Sequence, residues 1–188
     1  MINREEALTL IKQNVTKVNL IKHMFAVEAI MKGCAQFLKE NGEDVEVERW
    51  NLLGLIHDID FEKAQDPEKH CTVAPEILRG KVDEEMIKAI KSHNFENLDV
   101  QPESKMEYCL IAADSISGLI IATALILPSK KLRDVKVESI SKRFKEKDFA
   151  RNCSRERMLY CEKAGINREK FFEISLRSLQ EISDSLGL

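Results

Sequence analysis

The chain contains four histidines, and all of them lie in its first half. They are His23, His57, His70 and His93. His57 is followed directly by Asp58, and this pair comes at the end of the apolar run at residues 52–56. Two ionisable groups at the end of a buried element are costly unless they pair with each other or bind a cation. Imidazole and carboxylate are good ligands for several divalent ions, so the pattern predicts a metal site.

A further acidic residue, Asp114, lies in the most apolar segment of the chain, where residues 110–113 and Ile116 are typical of a core. A lone buried carboxylate is protonated or destabilising unless it has a partner. Two interpretations stay open. In one, hydrogen bonds from Ser115 and Ser117 satisfy the carboxylate; in the other, Asp114 is a ligand of a metal ion.

The elements that must position these side chains are predicted to be helices. Apolar residues recur at helical spacing, Asn3, Asp83 and Asn167 are suited to cap helices, and the chain has only 7 Gly and 4 Pro. We therefore expect an all-α fold of about seven to nine helices with loops at 60–69 and 94–101. The predicted helices cover residues 4–12, 17–40, 47–56, 71–78, 84–92, 103–127, 137–147, 154–164 and 168–186.

The order His23, His57-Asp58, Asp114 resembles the His…His-Asp…Asp ligand order that defines the HD superfamily of metal-dependent phosphohydrolases. His70 and His93 are similar to the two additional histidines of its binuclear members. The resemblance covers roughly residues 17–127. It implies an HD-domain helical bundle. We expect a single domain over 1–188, in which residues 128–188 form a helical C-terminal extension.

The resemblance also implies a ligand set. His23, His57, Asp58 and Asp114 would bind a first divalent ion, and His70 and His93 would complete a second site with Asp58 bridging. Histidine and carboxylate ligands favour Fe, Mn, Zn, Co or Ni over calcium. We therefore expect the site to bind one or two divalent ions, which are Fe, Mn, Zn, Co, Ni or Mg.

The local motif departs from the HDIG subfamily that it otherwise resembles. The sequence is His57-Asp58-Ile59-Asp60, with Asp60 in place of the usual Gly. Phe61 stands where many relatives carry a Lys that contacts phosphate, and Lys63 is the candidate to replace that cation. These departures, together with the absence of a Gly-Tyr-Pro signature, argue against the cyclic-dinucleotide phosphodiesterase branch.

The expected activity is hydrolysis of a phosphomonoester or phosphodiester in a small phosphorylated metabolite, with a nucleotide favoured. The predicted catalytic residues are Asp58, Asp60, Glu62 and Lys63. Asp60 and Glu62 would orient the water or protonate the leaving group, unless they only cap the loop. The predicted substrate-binding residues are Lys142, Arg143, Lys145 and Arg151. They belong to a stretch at 128–158 with eleven basic and five acidic residues, which is either a solvated face or an anion-recruiting surface.

Two other functions remain open from the sequence. A binuclear-iron oxygenase would use a similar helical ligand cage, since some HD members carry out oxidative cleavage. A metal-stabilised regulatory module would bind the ion without turnover. Oxygen consumption would favour the first, and a silent phosphoester screen would favour the second.

Composition narrows partners and location. The net charge of −3 implies no general attraction to nucleic-acid polymers or membranes. The five cysteines show no CxxC spacing and predict a reducing compartment, so we expect a cytoplasmic protein. The apolar stretch at 118–127 is expected to be too short to span a bilayer. The apolar last helix could pack inside the fold or form a homodimer.

Overall fold

The protein is described by a computed structural model that covers residues 1–64 and 66–188. These residues form an all-helical fold, which confirms the predicted class. The α-helices are α1 (Arg4–Asn14), α2 (Val18–Glu40), α3 (Val47–Ile56), α4 (Ala74–Ile77), α5 (Glu84–Ser92), α6 (Lys105–Leu125), α7 (Val137–Lys145), α8 (Arg155–Met158), α9 (Tyr160–Lys163), α10 (Arg168–Glu181) and α11 (Ser183–Leu186). Short 3₁₀ turns cover Pro67–Lys69 and Leu132–Asp134.

The predicted caps begin their helices as expected. Asn3 forms a capping box with Glu6, because each side chain accepts a hydrogen bond from the other residue's backbone N–H. Asp83 accepts from the N–H of Met86 at the start of α5, and Asn167 caps α10 in the same way. Local side-chain chemistry therefore fixes these boundaries.

Two predicted helices are each broken in two, so the described residues hold more helical segments than expected. Leu159 separates α8 from α9, and Ile182 separates α10 from α11. The helix predicted at 71–78 shortens to α4. Cys71 has a φ of 71°, which lies in the left-handed region and cannot continue a right-handed helix.

α2 lies at the centre of the fold and packs against α3, α6 and α10. The crossing of α2 and α3 is unusually close at Gly54. A Cβ atom added there would lie only 2.7 Å from the carbonyl oxygen of Val27. This close approach brings His23 of α2 towards the residues that end α3.

Several C-terminal helices pack against α6. These helices are α7, α8, α9 and α10, and one hydrophobic core runs from Ala7 to Leu186. The predicted helical extension at 128–188 is therefore helical and is packed onto the rest of the chain.

The apolar stretch at 118–127 belongs mostly to α6, which also contains residues 105–117. α6 has 21 residues, and by length and composition alone it could cross a membrane. However, 67% of its most apolar 18-residue window is buried within the fold. Its apolar composition is thus typical of a core helix in a soluble protein.

Candidate metal centre

The carboxylate of Asp58 lies just after α3, with a side chain that is 8% exposed. Four imidazoles converge on it. Its Oδ1 lies 3.1 Å from His70 Nε2, 3.3 Å from His57 Nε2 and 3.4 Å from His93 Nε2, and its Oδ2 lies 3.6 Å from His23 Nε2.

Asp114 extends this cluster from α6. Its Oδ1 lies 3.2 Å from His23 Nε2, so His23 stands between two carboxylates. Ser117 does not satisfy Asp114 in the way that one interpretation suggested. The Ser117 hydroxyl donates instead to the backbone carbonyl of Asp114, at 2.8 Å. The structure therefore brings together all six residues that the resemblance assigned to metal binding.

Hydrogen bonds fix the ring orientation of three of the histidines. His57 Nδ1 donates to the Gly54 carbonyl at 2.8 Å, and His93 Nδ1 donates to the Ile90 carbonyl at 2.5 Å. His23 Nδ1 lies 3.2 Å from the hydroxyl of Ser117, whose proton is already used. Each Nδ1 thus carries a proton, so whenever one of these rings is neutral its lone pair is on Nε2, the atom that faces the carboxylates. Ligand histidines are typically oriented in this way.

His57 gives the clearest indication that a cation fits here. Its ring is fully buried, and its Nε2 has no hydrogen-bond partner among the described residues. Burial lowers the pKa of His57 to about 4, so the ring is neutral near pH 7. A buried lone pair that faces an anionic carboxylate is unfavourable, and a divalent ion between them would compensate it. The donor set therefore fits a metal ion.

His70 and His93 behave differently in the metal-free protein. Burial by itself would lower the pKa of His70, but the carboxylates of Asp58 and Asp60 raise it to about 12. Burial likewise opposes protonation of His93, whereas Cys71 and Asp58 raise its pKa to about 10. Both rings hold an extra proton near pH 7, and a metal ion would have to displace these protons in order to bind.

The two carboxylates at the centre are ionised. Burial would raise the pKa of Asp58, but the nearby His57 and His70 lower it well below its usual range. Burial would also raise the pKa of Asp114, but the hydrogen bond with His23 and the charges of His23, His57 and Arg157 together lower it below its usual range. The cluster therefore combines two anions with imidazole donors, as a divalent-metal site requires.

The geometry does not support a proton-transfer role for Asp60. This residue is fully buried, and its Oδ2 accepts hydrogen bonds from the N–H groups of Val73 and Ala74, both at 2.9 Å. Its Oδ1 accepts from the N–H of Cys71 and lies 3.2 Å from His70 Nδ1. Asp60 thus orients His70 and holds the segment that follows it.

Glu62 also lies away from the centre. Its carboxylate accepts hydrogen bonds from the N–H and hydroxyl of Thr16, at 2.9 and 2.6 Å, and from the N–H of Lys17 at 2.7 Å. These contacts tie the loop after Asp58 to the start of α2. The alternative that Glu62 only caps and fastens a loop is therefore the better supported one.

A cavity of about 600 Å³ opens over the cluster. Its wall includes Phe61, Asn94, Ser154 and Arg157 in addition to candidate ligands. Arg157 is 17% exposed and donates to Asp114 Oδ2 at 3.0 Å, to the His93 carbonyl at 2.6 Å and to Glu96 at 2.9 Å. Sequence reasoning missed this residue, although it lies in the basic stretch at 128–158.

The cations chosen from the sequence do not line this cavity in the part of the chain that the structure describes. They are Lys63, Lys142, Arg143, Lys145 and Arg151. Arg143 instead lies over the ring of Phe149, at 4.8 Å, and pairs with Glu146. Among the described residues that line the cavity, Arg157 is the one arginine or lysine, and it is bonded to a candidate metal ligand.

Fold and cluster together define an all-helical protein with a buried group of histidines and aspartates that could hold a metal ion. The chain is 30% identical over 154 residues to the uncharacterized protein MJ0778 of Methanocaldococcus jannaschii, and the alignment covers 79% of this chain and 87% of that protein. The chain belongs to the family of this archaeal protein. No protein-family model matches the chain, and no solved structure matches it.

Proposed function

We propose that the protein is a metal-dependent phosphohydrolase of the HD type that acts on a small phosphorylated metabolite. The observation that carries this proposal is the convergence of four imidazoles on the carboxylate of Asp58, with Asp114 beside His23. The six candidate ligands that the resemblance implies are therefore neighbours in the fold.

The centre offers ligands for one or two ions. His23, His57, Asp58 and Asp114 would hold the first, and His70 and His93 would hold the second with Asp58 between them. Divalent ions bound there would neutralise phosphoryl oxygens and make water more acidic. Which of Fe, Mn, Zn, Co, Ni and Mg binds at the second site depends on the donor atoms that complete that site.

Arg157 supplies the phosphate contact in this proposal. It donates three hydrogen bonds within the fold, whereas a guanidinium carries five N–H groups. The remaining donors can bind a phosphate oxygen in the cavity, and the contacts already made hold the side chain in place. Arg157 would thus provide the contact with phosphate that, in many HD proteins, a Lys at the position of Phe61 provides.

Phe61 and the cavity size favour a substrate with a flat apolar part. Phe61 is 48% exposed and lines the cavity, and its ring lies edge-on to the ring of His70, with 5.1 Å between centroids. The cavity volume of about 600 Å³ is within the range of small-molecule sites. A nucleobase would combine contact with Phe61 and a phosphate near Arg157, which supports a nucleotide as substrate.

The test is phosphate release by chelated protein to which one divalent ion at a time is returned, without oxygen, on a panel of nucleotides and sugar phosphates. We expect metal-dependent release that Asp58→Asn abolishes. Arg157→Gln should lower kcat/KM roughly ten- to hundredfold, because it removes a charged hydrogen bond to phosphate. Arg151→Gln is the matched control, since Arg151 is exposed and outside the cavity, and should leave kcat/KM unchanged.

Two results would contradict the proposal. Tight metal binding with no phosphate release from the whole panel would favour a metal-stabilised regulatory module. Oxygen consumption by the iron-loaded protein, with no phosphate release under anaerobic conditions, would favour a binuclear-iron oxygenase.

A further inference from the structure

A thiol lies beside His70 and His93, the proposed ligands of the second ion. Cys71 directly follows His70 and is fully buried, and its Sγ lies 3.5 Å from Nδ1 and 3.8 Å from Nε2 of His93. The potential ligand atoms of His70, Cys71 and His93 all lie within 4.8 Å of one another. The resemblance gives no role to this cysteine.

The backbone conformation at Cys71 is unusual for a residue with a side chain. Its φ of 71° costs about 1–2 kcal/mol for an L-residue other than glycine. The carboxylate of Asp60 offsets this cost, since it accepts from the N–H groups of Cys71, Val73 and Ala74. The turn allows the adjacent side chains of His70 and Cys71 to approach the same ring, that of His93.

The distances suit coordination of one ion by sulfur and nitrogen. In a tetrahedral zinc site with bonds of about 2.3 Å to sulfur and 2.0–2.1 Å to nitrogen, these two ligand atoms are about 3.5 Å apart. The 3.8 Å between Cys71 Sγ and His93 Nε2 is close to this value. Sγ lies nearer to Nδ1, at 3.5 Å, and Nδ1 is bonded to the Ile90 carbonyl, so the Cys71 side chain must rotate about χ1 to bring its sulfur to an ion on Nε2. The 3.0 Å between the Nε2 atoms of His70 and His93 also places both rings around a common point.

We infer that Cys71 is a ligand of the second ion, together with His70, His93 and Asp58. The inference rests on the metal centre of the proposed function and specifies its chemistry. A thiolate ligand selects Zn, Co or Fe over Mg and Mn. On binding, the S–H bond of Cys71 is replaced by a sulfur–metal bond, and the proton leaves to the solvent.

The test is anaerobic titration of the chelated full-length protein with Co²⁺ while the near-ultraviolet absorption is recorded. A cobalt–thiolate bond gives a charge-transfer band there that nitrogen and oxygen ligands do not give. We expect the band in the wild-type protein and its loss in both Cys71→Ser and Cys71→Gly. Serine keeps the size of the side chain, and glycine adopts the positive φ without strain, so at least one variant should fold.

Cys153→Ser is the matched control, because Cys153 also lines the cavity and is not part of the histidine cluster. This variant should keep the band. In the Cys71 variants, the affinity of the second site for Zn²⁺ should fall roughly tenfold or more, because loss of a ligand costs at least as much as loss of a group that only orients one. The affinity for Mn²⁺ should change little, because Mn²⁺ does not favour thiolate ligands.

Three outcomes would overturn the inference: two equivalents of cobalt bound without the band, a band that survives in both Cys71 variants, or a band lost in Cys153→Ser. Failure of the proposed function gives a different result. An intact band without hydrolysis of any phosphoester would remove the enzymatic proposal and leave Cys71 as a ligand. Absence of any cobalt binding would overturn both.

Discussion

Replacement of Gly54 by alanine tests whether the close crossing of α2 and α3 holds the centre together. A Cβ atom at Gly54 would lie 2.7 Å from the carbonyl oxygen of Val27, 2.8 Å from Cα of Glu28 and 2.9 Å from its backbone nitrogen. All three atoms belong to the backbone of α2, so none of them can rotate away. The two helices would have to separate by several tenths of an ångström.

Two opposing effects set the magnitude. Alanine is favoured over glycine inside a helix by about 1 kcal/mol. Overpacking of a core typically costs 1–3 kcal/mol, and contact with rigid backbone lies at the upper end of this range or above it. We therefore expect a net loss of about 1–2 kcal/mol in the free energy of unfolding. For a chain of this size, that loss lowers Tm by about 2–8 °C.

The same displacement should weaken the metal site. His23 is carried by α2, whereas His57 is held by its hydrogen bond to the carbonyl of Gly54 itself. Separation of the helices moves these two imidazoles apart, so Gly54→Ala should also lower affinity for the first ion. Thermal unfolding of the chelated protein and calorimetric titration with Co²⁺ measure the two effects separately.

Gly118→Ala in α6 is the matched control. Within the described residues, a Cβ there meets only Cys153 Sγ, at 2.7 Å, and a cysteine side chain can change rotamer. Its Tm should stay unchanged or rise by about 2–4 °C, as the gain in helix propensity predicts. The reasoning fails if Gly54→Ala is as stable as wild type, or if both variants lose the same amount.

Two further predictions concern His70 and His93, the proposed ligands of the second ion. Asp60→Asn should lower affinity for the second ion about ten- to hundredfold, because it removes the negative partner that orients His70; calorimetry that shows both sites unchanged would contradict this role. In the metal-free protein, His70 and His93 have folded pKa values of about 12 and about 10, against 6.5 when unfolded. Their stabilisation is complete below pH 6.5 and declines as the pH rises, so urea unfolding should show lower stability at pH 9 than at pH 7, and a flat or rising profile would count against the buried ion pairs.

The helices were predictable where the signal is local. The caps Asn3, Asp83 and Asn167 lie three residues from the N–H groups that they bind, so type and spacing are sufficient. The segment at 71–78 was not predictable in this way. Its apolar residues suggested a helix, but the conformation of Cys71 depends on hydrogen bonds to Asp60, which is 11 residues away.

The site shows the same division. The predicted ligands came from residue types and their order, and the structure brings those side chains together. The sequence left the roles of the neighbouring charges open, because these roles depend on distant partners. Glu62 is bound by Thr16, which is 46 residues away, and Arg157 reaches Asp114 across 43 residues. Composition marked Arg157 only as one of many basic residues in its stretch.

The candidate ligands and the rest of the cavity lining come largely from different parts of the chain. All candidate ligands fall between His23 and Asp114, within the part that resembles the HD superfamily. The C-terminal extension contributes four further residues to the cavity lining: Asn152, Cys153, Ser154 and Arg157. Arg157 also joins the two parts, because its guanidinium binds both Asp114 and the backbone of His93. In the proposed enzyme, the first part would therefore hold the ions, and changes in the extension would alter which phosphorylated compound is accepted.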